Sequence, residues 1–525
     1  MTDRTWRVAV SVGCLLAAVV SPALGEVKLP KVFADGMVLQ QDMKVPIWGT
    51  AAPGEKVTVT FGDHKATAVA DDKGAWRTTI GPLAASDQPA ELTVAGTNAL
   101  KLANVLVGEV WVCSGQSNMA WSVRNSNNAD AEIADAKNYP LIRLCTVART
   151  IARQPAADAR ISWAVCDPQS VRGFSAVGYF FGRELHKRLQ RPVGLVHSSW
   201  GGTPAEAWTS RTMLATLEFM PERLAASDQA IAGYDPAAAQ ARLREATEKW
   251  KKQVEQAKAE GKRPPRQPRL WDPTRSPHTP SVLFNGMIAP IVPYGIRGAI
   301  WYQGESNAGR PAEYRTLMPA LIRDWRRHWG QGDFPFLLVQ LANFRALQPQ
   351  PSEGGWALLR EAQLMTVSAL PAVGMATAVD IGEANDIHPK NKQDVGRRLA
   401  LAAMAIAYGQ KLVYSGPVYK SMKVADGKIV LSFDHVGGGL VALLKPQESP
   451  YSKSGPPLRG FAIAGADKQW VWADAKIVGD TVVVASEKVP APVAVRYGWA
   501  NNPIGNLYNK QALPASPFRT DDWEQ

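Results

Sequence analysis

Residues 113–119 read Cys113-Ser114-Gly115-Gln116-Ser117-Asn118-Met119, straight after an apolar run at 105–112. A small-residue turn at the end of a buried strand can lift one serine, Ser117, into a cleft. Serine is a poor nucleophile at neutral pH, so it needs a neighbouring base, and that base needs an orienting group. Asp386-Ile387-His388-Pro389 offers His388 as the base and Asp386 as its partner. Acyl transfer also needs donors for an oxyanion, each worth about 3 kcal/mol in the barrier. Trp200-Gly201-Gly202-Thr203 can present the backbone N–H of Gly201 or Gly202. Gln303-Gly304-Glu305-Ser306-Asn307 can present the side-chain amide of Asn307. These are the components of a serine esterase.

Each component has a plainer reading. A serine in a glycine-containing turn is usually a turn residue, and position 119 is Met, so this is not the Gly-x-Ser-x-Gly elbow of α/β-hydrolases. Gly201-Gly202 suits an ordinary strand-to-helix turn, and Asn307 suits a helix cap. Among seven histidines, His64 and His435 fall in β-rich regions, His186 and His328 in helices, and His278 in a loop. His197 ends a buried-looking strand. His388 alone follows a strand, has an aspartate two residues earlier and precedes a proline suited to the first turn of a helix.

The elements around these residues give them a common place. Strand-like runs at 109–113, 193–198, 298–303, 335–340 and 374–379 alternate with helical patterns at 177–189, 312–328 and 392–408. That alternation predicts an α/β fold with a parallel sheet and helices on both faces. Ligands of such sheets bind at the carboxyl ends of strands. Ser117, Gly201, Asn307 and His388 each fall just after a strand or on a loop leaving one. Residues 26–105 read as all-β, with alternation at 56–61 and runs at 75–80, 92–94 and 101–107, and predict a small β-sandwich. A second sandwich is expected over 416–525, from runs at 428–433, 440–444, 469–472, 481–486 and 493–497. The catalytic region then spans 106–415. It carries a charged helical insert at about 211–275, of which 236–262 is an Ala-rich helix ending at Gly261.

Composition excludes several classes. Hydrophobic content of 46% and charged content of 20% describe a globular chain of 525 residues with two or three domains. Residues 1–25 predict a signal peptide and export to the periplasm or medium: Arg4 and Arg7, an apolar stretch at 8–20, and Ala23-Leu24-Gly25 before Glu26. Cys14 lies within that apolar stretch and is no lipid-anchor site. The net charge is +12. Residues 1–25 hold two basic residues and one acidic, so the rest keeps 57 basic against 46 acidic residues, or +11. The basic residues are scattered, without a stripe interleaved with aromatics, which speaks against nucleic acid as a partner. No other segment is long and apolar enough for a membrane span. No Cys/His spacing suggests a metal, and no cofactor is expected. Beyond Cys14 the cysteines are Cys113, Cys145 and Cys166, with Cys145–Cys166 the favoured pair and three buried thiols the alternative. Eighteen tryptophans lean the reading toward sugars.

Read together, Gly-Gln-Ser-Asn-Met at 115–119, Ser-Trp-Gly-Gly-Thr-Pro-Ala-Glu-Ala-Trp at 199–208, Trp-Tyr-Gln-Gly-Glu-Ser-Asn at 301–307 and Asp-Ile-His-Pro at 386–389 resemble the sialate O-acetylesterase branch of the SGNH/GDSL-like hydrolases. The stretches 29–41, 506–509 and 514–521 resemble it too. The resemblance implies a three-layer SGNH domain flanked by β-sandwiches. It implies metal-independent removal of O-acetyl groups from a glycan, either sialic acid or a plant hemicellulose such as xylan or xyloglucan; the alternative of another class is a non-catalytic glycan-binding protein with a degenerate hydrolase core, against which the intact Ser, His, Asn and Gly set argues. It makes Ser117 the nucleophile, His388 the base, and Gly201 or Gly202, Asn307 and the Ser117 N–H the oxyanion donors. Many SGNH enzymes carry the triad aspartate three residues before the histidine, where this chain has Asn385. The orienting group is therefore Asp386, through its side chain or its carbonyl, or Asp380. Gln116, Trp200, Gln303, Glu305 and Arg310 are candidates for substrate contact. Trp121, Trp208 and Trp301 could add a sugar platform, and Arg124 or Arg310 could meet a carboxylate.

Overall fold

The computed structural model describes residues 26–443 and 456–523. The expected signal peptide at 1–25 and the end of the 440–444 run lie outside the described residues. The fold is mixed α/β, built on an eleven-stranded sheet with further antiparallel sheets around it.

Seven strands form the backbone of that sheet: β1 Ala99–Gly115, β2 Ile142–Val147, β3 Ile161–Val165, β4 Val193–Ser199, β5 Gly298–Tyr302, β6 Phe336–Val339 and β7 Val373–Ala376. Their spatial order is β7-β6-β5-β1-β4-β2-β3. All neighbours are parallel except β2 and β3. The expected parallel sheet is present, and β2 and β3 extend one edge beyond what the sequence indicated. Strand β1 is 17 residues long. Its first half pairs antiparallel with Ser86–Ala95, while its second half lies between β4 and β5. The boundary placed between 105 and 106 thus falls inside one continuous strand. The N-terminal strands share a single hydrophobic core with the central sheet.

Helices cover both faces. Trp111 and Cys113 of β1 face Phe181 and Gly178 of helix α2, Ala176–Leu189. On the other face Trp301 packs against Trp325 of helix α4, Pro311–Trp329. Between them in sequence runs α3, Pro236–Ala259, whose only buried residue is Ala239. It is the expected charged helix, and it lies in solvent along most of its length. Helix α5, Gly355–Ala369, packs on α4, and helix α6, Lys392–Ile406, packs on α2. The α6 helix begins at Lys392, with Asn391 as N-cap accepting the N–H of Asp394 at 3.1 Å. Pro389 therefore stands outside the helix, contrary to expectation, because the asparagine cap two residues later sets the first turn.

From Val418 onward the described residues form two four-stranded antiparallel sheets and a strand pair around a separate core that includes Ile429, Leu431, Ile463, Val482 and Val495. Cys113, Cys145 and Cys166 are all unpaired and buried. The favoured Cys145–Cys166 pairing is corrected by register. Cys145 lies inside β2 opposite Trp163, and the Cys166 thiol, beyond the end of β3, points at the Ala136 carbonyl at 3.8 Å.

Candidate active site

The parallel register aligns three strand ends. Gly115 of β1 lies beside Ser199 of β4 and Tyr302 of β5. The loops that follow carry Ser117, Gly201 and Asn307, so one edge of the sheet gathers them. Gly115 has φ +136°, and a Cβ there would fall 2.2 Å from the Tyr302 carbonyl oxygen. Only glycine makes this turn. Ser117 opens a four-residue helix, α1, Ser117–Ala120. The Ser175 hydroxyl holds this turn, donating to the Met119 carbonyl at 2.6 Å while accepting the Gly178 N–H as the N-cap of α2.

Gly201 packs on Ser117: a Cβ at position 201 would lie 3.2 Å from the Ser117 Cβ. The N–H groups of Ser117, Gly201 and Gly202 have no acceptor among the described residues. Gly201 and Ser117 are in contact, so their open donors are neighbours. Asn307 is buried. Its Oδ1 accepts from the Ala205 N–H at 3.0 Å and from Gln303 Nε2 at 2.7 Å, and its Nδ2 donates to Glu206 at 2.9 Å. One amide hydrogen remains.

His388 reaches the same edge from the loop after β7. Asn118, next to Ser117, donates through Nδ2 to the Ile387 carbonyl at 3.0 Å and to Glu305 Oε1 at 2.6 Å. The imidazole stacks on Trp121, centroids 5.0 Å apart and planes 13° apart. Asp386 Oδ1 accepts the backbone N–H of His388 at 2.9 Å and lies 3.6 Å from Nδ1. Asp386 therefore fixes the loop directly and acts on the ring through its charge. Burial lowers the His388 pKa, the Lys392 charge lowers it further, and Asp386 opposes both. Asp380, the other orienting candidate, is not at the site. Both its oxygens bind the guanidinium of Arg398 at 2.7 Å, and one accepts from the Tyr508 hydroxyl at 3.2 Å.

Several expected contact residues brace loops. Gln116 Oε1 accepts the N–H groups of Gly304 and Ser306 at 3.3 and 3.2 Å. Gln303 is fully buried, donating to Asn307 and the Thr203 carbonyl and accepting from Tyr314 at 3.0 Å. Arg310 is paired with Glu206 and Glu313 at 2.7 and 2.8 Å. Trp208 and Trp301 are buried in the core, packed edge to face. Trp121 and Trp200 stay partly exposed, and Arg149 lies over the Trp200 ring at 5.9 Å. Arg124 is exposed.

Sequence reasoning missed two features. Lys392 is completely buried beside the site, its ammonium donating to Asn118 Oδ1. His197 Nε2 is 2.6 Å from Ser199 Oγ, a second Ser–His pair. Burial and Arg149 hold the His197 pKa down at about 4, so its imidazole is a weak proton acceptor. Nothing in the local sequence distinguished either residue from a surface lysine or a strand histidine.

Among known families, the model for "Carbohydrate esterase, sialic acid-specific acetylesterase" matches residues 107–256 and 279–405. The chain is similar to the sialate O-acetylesterase of Rattus norvegicus, 31% identical over 92% of each protein. It is 30% identical to that of Homo sapiens, over 92% of this chain and 90% of the other. Among solved structures it resembles a carbohydrate acetylesterase from Xanthomonas citri, with a TM-score of 0.78 and 39% identity over 95% of this chain and 100% of that one. A family match over more than half the chain, with relatives alike along nearly all of it, makes this protein a carbohydrate esterase belonging to the sialic acid-specific acetylesterase family.

Proposed function

We propose that the protein is an exported serine esterase that removes O-acetyl groups from carbohydrates through an acetyl-serine intermediate on an SGNH-type core. The observation that carries this reading is the Asn118 bridge. It ties the Ser117 turn to the carbonyl beside His388 while Gly201 packs against Ser117. In the reaction, Ser117 Oγ attacks the acetyl carbonyl and its proton passes to His388. The N–H groups of Ser117, Gly201 and Gly202, with the remaining amide hydrogen of Asn307, face the developing oxyanion. The C–O bond to the sugar breaks, and His388 returns the proton to the departing hydroxyl. Water then gives a proton to His388, attacks the acetyl-serine and releases acetate, regenerating the serine.

O-acetylated sialic acid is the first substrate reading, following the relatives. Acetylated xylan or xyloglucan is the second, favoured by the engagement of Arg310 with Glu206 and Glu313 and by the partly exposed Trp121 and Trp200, faces on which a neutral sugar can stack. Acetate release from both substrates, with Ser117→Ala as blank, tests the proposal. Activity surviving in Ser117→Ala ends it, and the preferred substrate decides between the readings. Export is tested by sequencing the N-terminus of the protein recovered outside the cytoplasm, which should begin at Glu26.

A further inference from the structure

Lys392 takes no part in the steps above, yet it is completely buried at the floor of the site. Among the described residues no carboxylate lies within ion-pair distance of it. Among the described residues the one hydrogen-bond partner of its ammonium is Asn118 Oδ1. Its ammonium also faces the rings of Tyr302 at 5.2 Å and Trp121 at 6.0 Å, and Trp121 is the ring on which His388 stacks. Asn118 is thus fully engaged. Its oxygen takes Lys392, and its nitrogen reaches Glu305 and the Ile387 carbonyl. One side chain joins α1, the loop after β5, the His388 loop and α6. Glu305 keeps a buried Oε2 with no partner among the described residues. Burying a cation without a carboxylate opposes folding. Core packing gives no reason for it, since an apolar side chain would fill the same space.

We propose that Lys392 is a positioning residue for ester hydrolysis: its buried ammonium locks the Ser117 turn to the His388 loop through Asn118 and keeps the imidazole in its proton-accepting form. This rests on the reading of His388 as the base. The charged groups around that ring are Lys392 from α6, Asp386 from its own loop, and Glu305 and Glu383 beyond them, the last two facing Lys392. Burial brings the Lys392 pKa down to about 7, so below that pH it is cationic, which is where a histidine limb falls. A nearby positive charge disfavours imidazolium.

The test is the pH dependence of kcat/KM on p-nitrophenyl acetate for wild type, Lys392→Gln, Lys392→Met and His388→Ala. The wild-type acid limb should lie below 6.5, the ordinary histidine value. Lys392→Gln can still donate to Asn118 but carries no charge. Its acid limb should move up by about 0.5–1 unit, with kcat down roughly 10-fold and KM changed less. Lys392→Met, which cannot donate, should lose more. An unmoved limb in folded Lys392→Gln overturns the inference. Should neither variant fold, a wild-type limb at or above 6.5 overturns it. Activity in His388→Ala would instead overturn the proposed function, so the two failures are distinguishable.

Discussion

Helix α6 buries two cations six residues apart, and they are treated in opposite ways. Arg398 meets Asp380 through both nitrogens at 2.7 Å, with side-chain exposures of 2% and 3%. Burial works against the Arg398 charge, and Asp380, with Asp394 and Tyr508 behind it, more than offsets it, so its pKa stays above the ordinary arginine value. Lys392 has an amide oxygen and two aromatic rings instead of a carboxylate, and its pKa falls. Arg398 serves the scaffold: through Asp380 and Tyr508 it ties the loop after β7 to the C-terminal strands. Lys392 stands behind Asn118, which joins the Ser117 turn to the His388 loop. A complete pair reports on stability, and a cation left without its counter-ion beside a cleft reports on function.

The largest contrast should come from the catalytic end. Ser117→Ala and His388→Ala should each lower kcat/KM by about 10⁴-fold while the urea midpoint stays within error of wild type. Equal losses of activity and stability would erase the distinction between the two ends of α6. At the scaffold end, Arg398→Met leaves Asp380 buried and unpaired, and should cost about 3–5 kcal/mol in urea unfolding. A cost under about 1 kcal/mol would mean the pair holds nothing.

Lys392 sharpens the comparison through pH. Its folded pKa is depressed below the unfolded value of 10.5, so between about 7 and 10.5 the unfolded chain binds the extra proton. Wild-type stability relative to Lys392→Met should therefore rise as pH climbs through that window and level off below it. A flat difference in melting temperature across the window would contradict a buried, perturbed lysine. The smallest effect is expected at Asp386→Asn. Asparagine keeps an acceptor for the His388 N–H, so kcat/KM should fall less than about 10-fold. The lost negative charge should move the acid limb to lower pH, opposite to Lys392→Gln.

What could be read from the sequence follows the range of the forces involved. Ser117, Gly201, Asn307 and His388 were legible because each sits in a short run of turn residues after an apolar strand, and the parallel topology does the rest. Lys392 was not, because Lys390-Asn391-Lys392-Gln393 reads as the solvated start of a helix. Its burial is decided by Asn118, far away in the chain. The Asp380–Arg398 pair was hidden for the same reason, and so Asp380 stood as a rival to Asp386. The 105/106 boundary misled because a change of texture marks a change of neighbours, and β1 changes neighbours midway without ending. Asn307 shows the intermediate case: its place was legible, but not its three-way engagement with Ala205, Gln303 and Glu206.

The most direct measurement is labelling with a fluorophosphonate probe followed by peptide mass spectrometry, because the chain offers two candidate nucleophiles, Ser117 and Ser199. Ser199 already hydrogen-bonds His197, but that imidazole is a weak base and the serine is buried. Ser117 has open N–H donors around it and His388 in the adjoining loop. The expected result is a single adduct on Ser117, absent in Ser117→Ala and in His388→Ala. An adduct on Ser199, or labelling of Ser117 that persists without His388, would contradict the account.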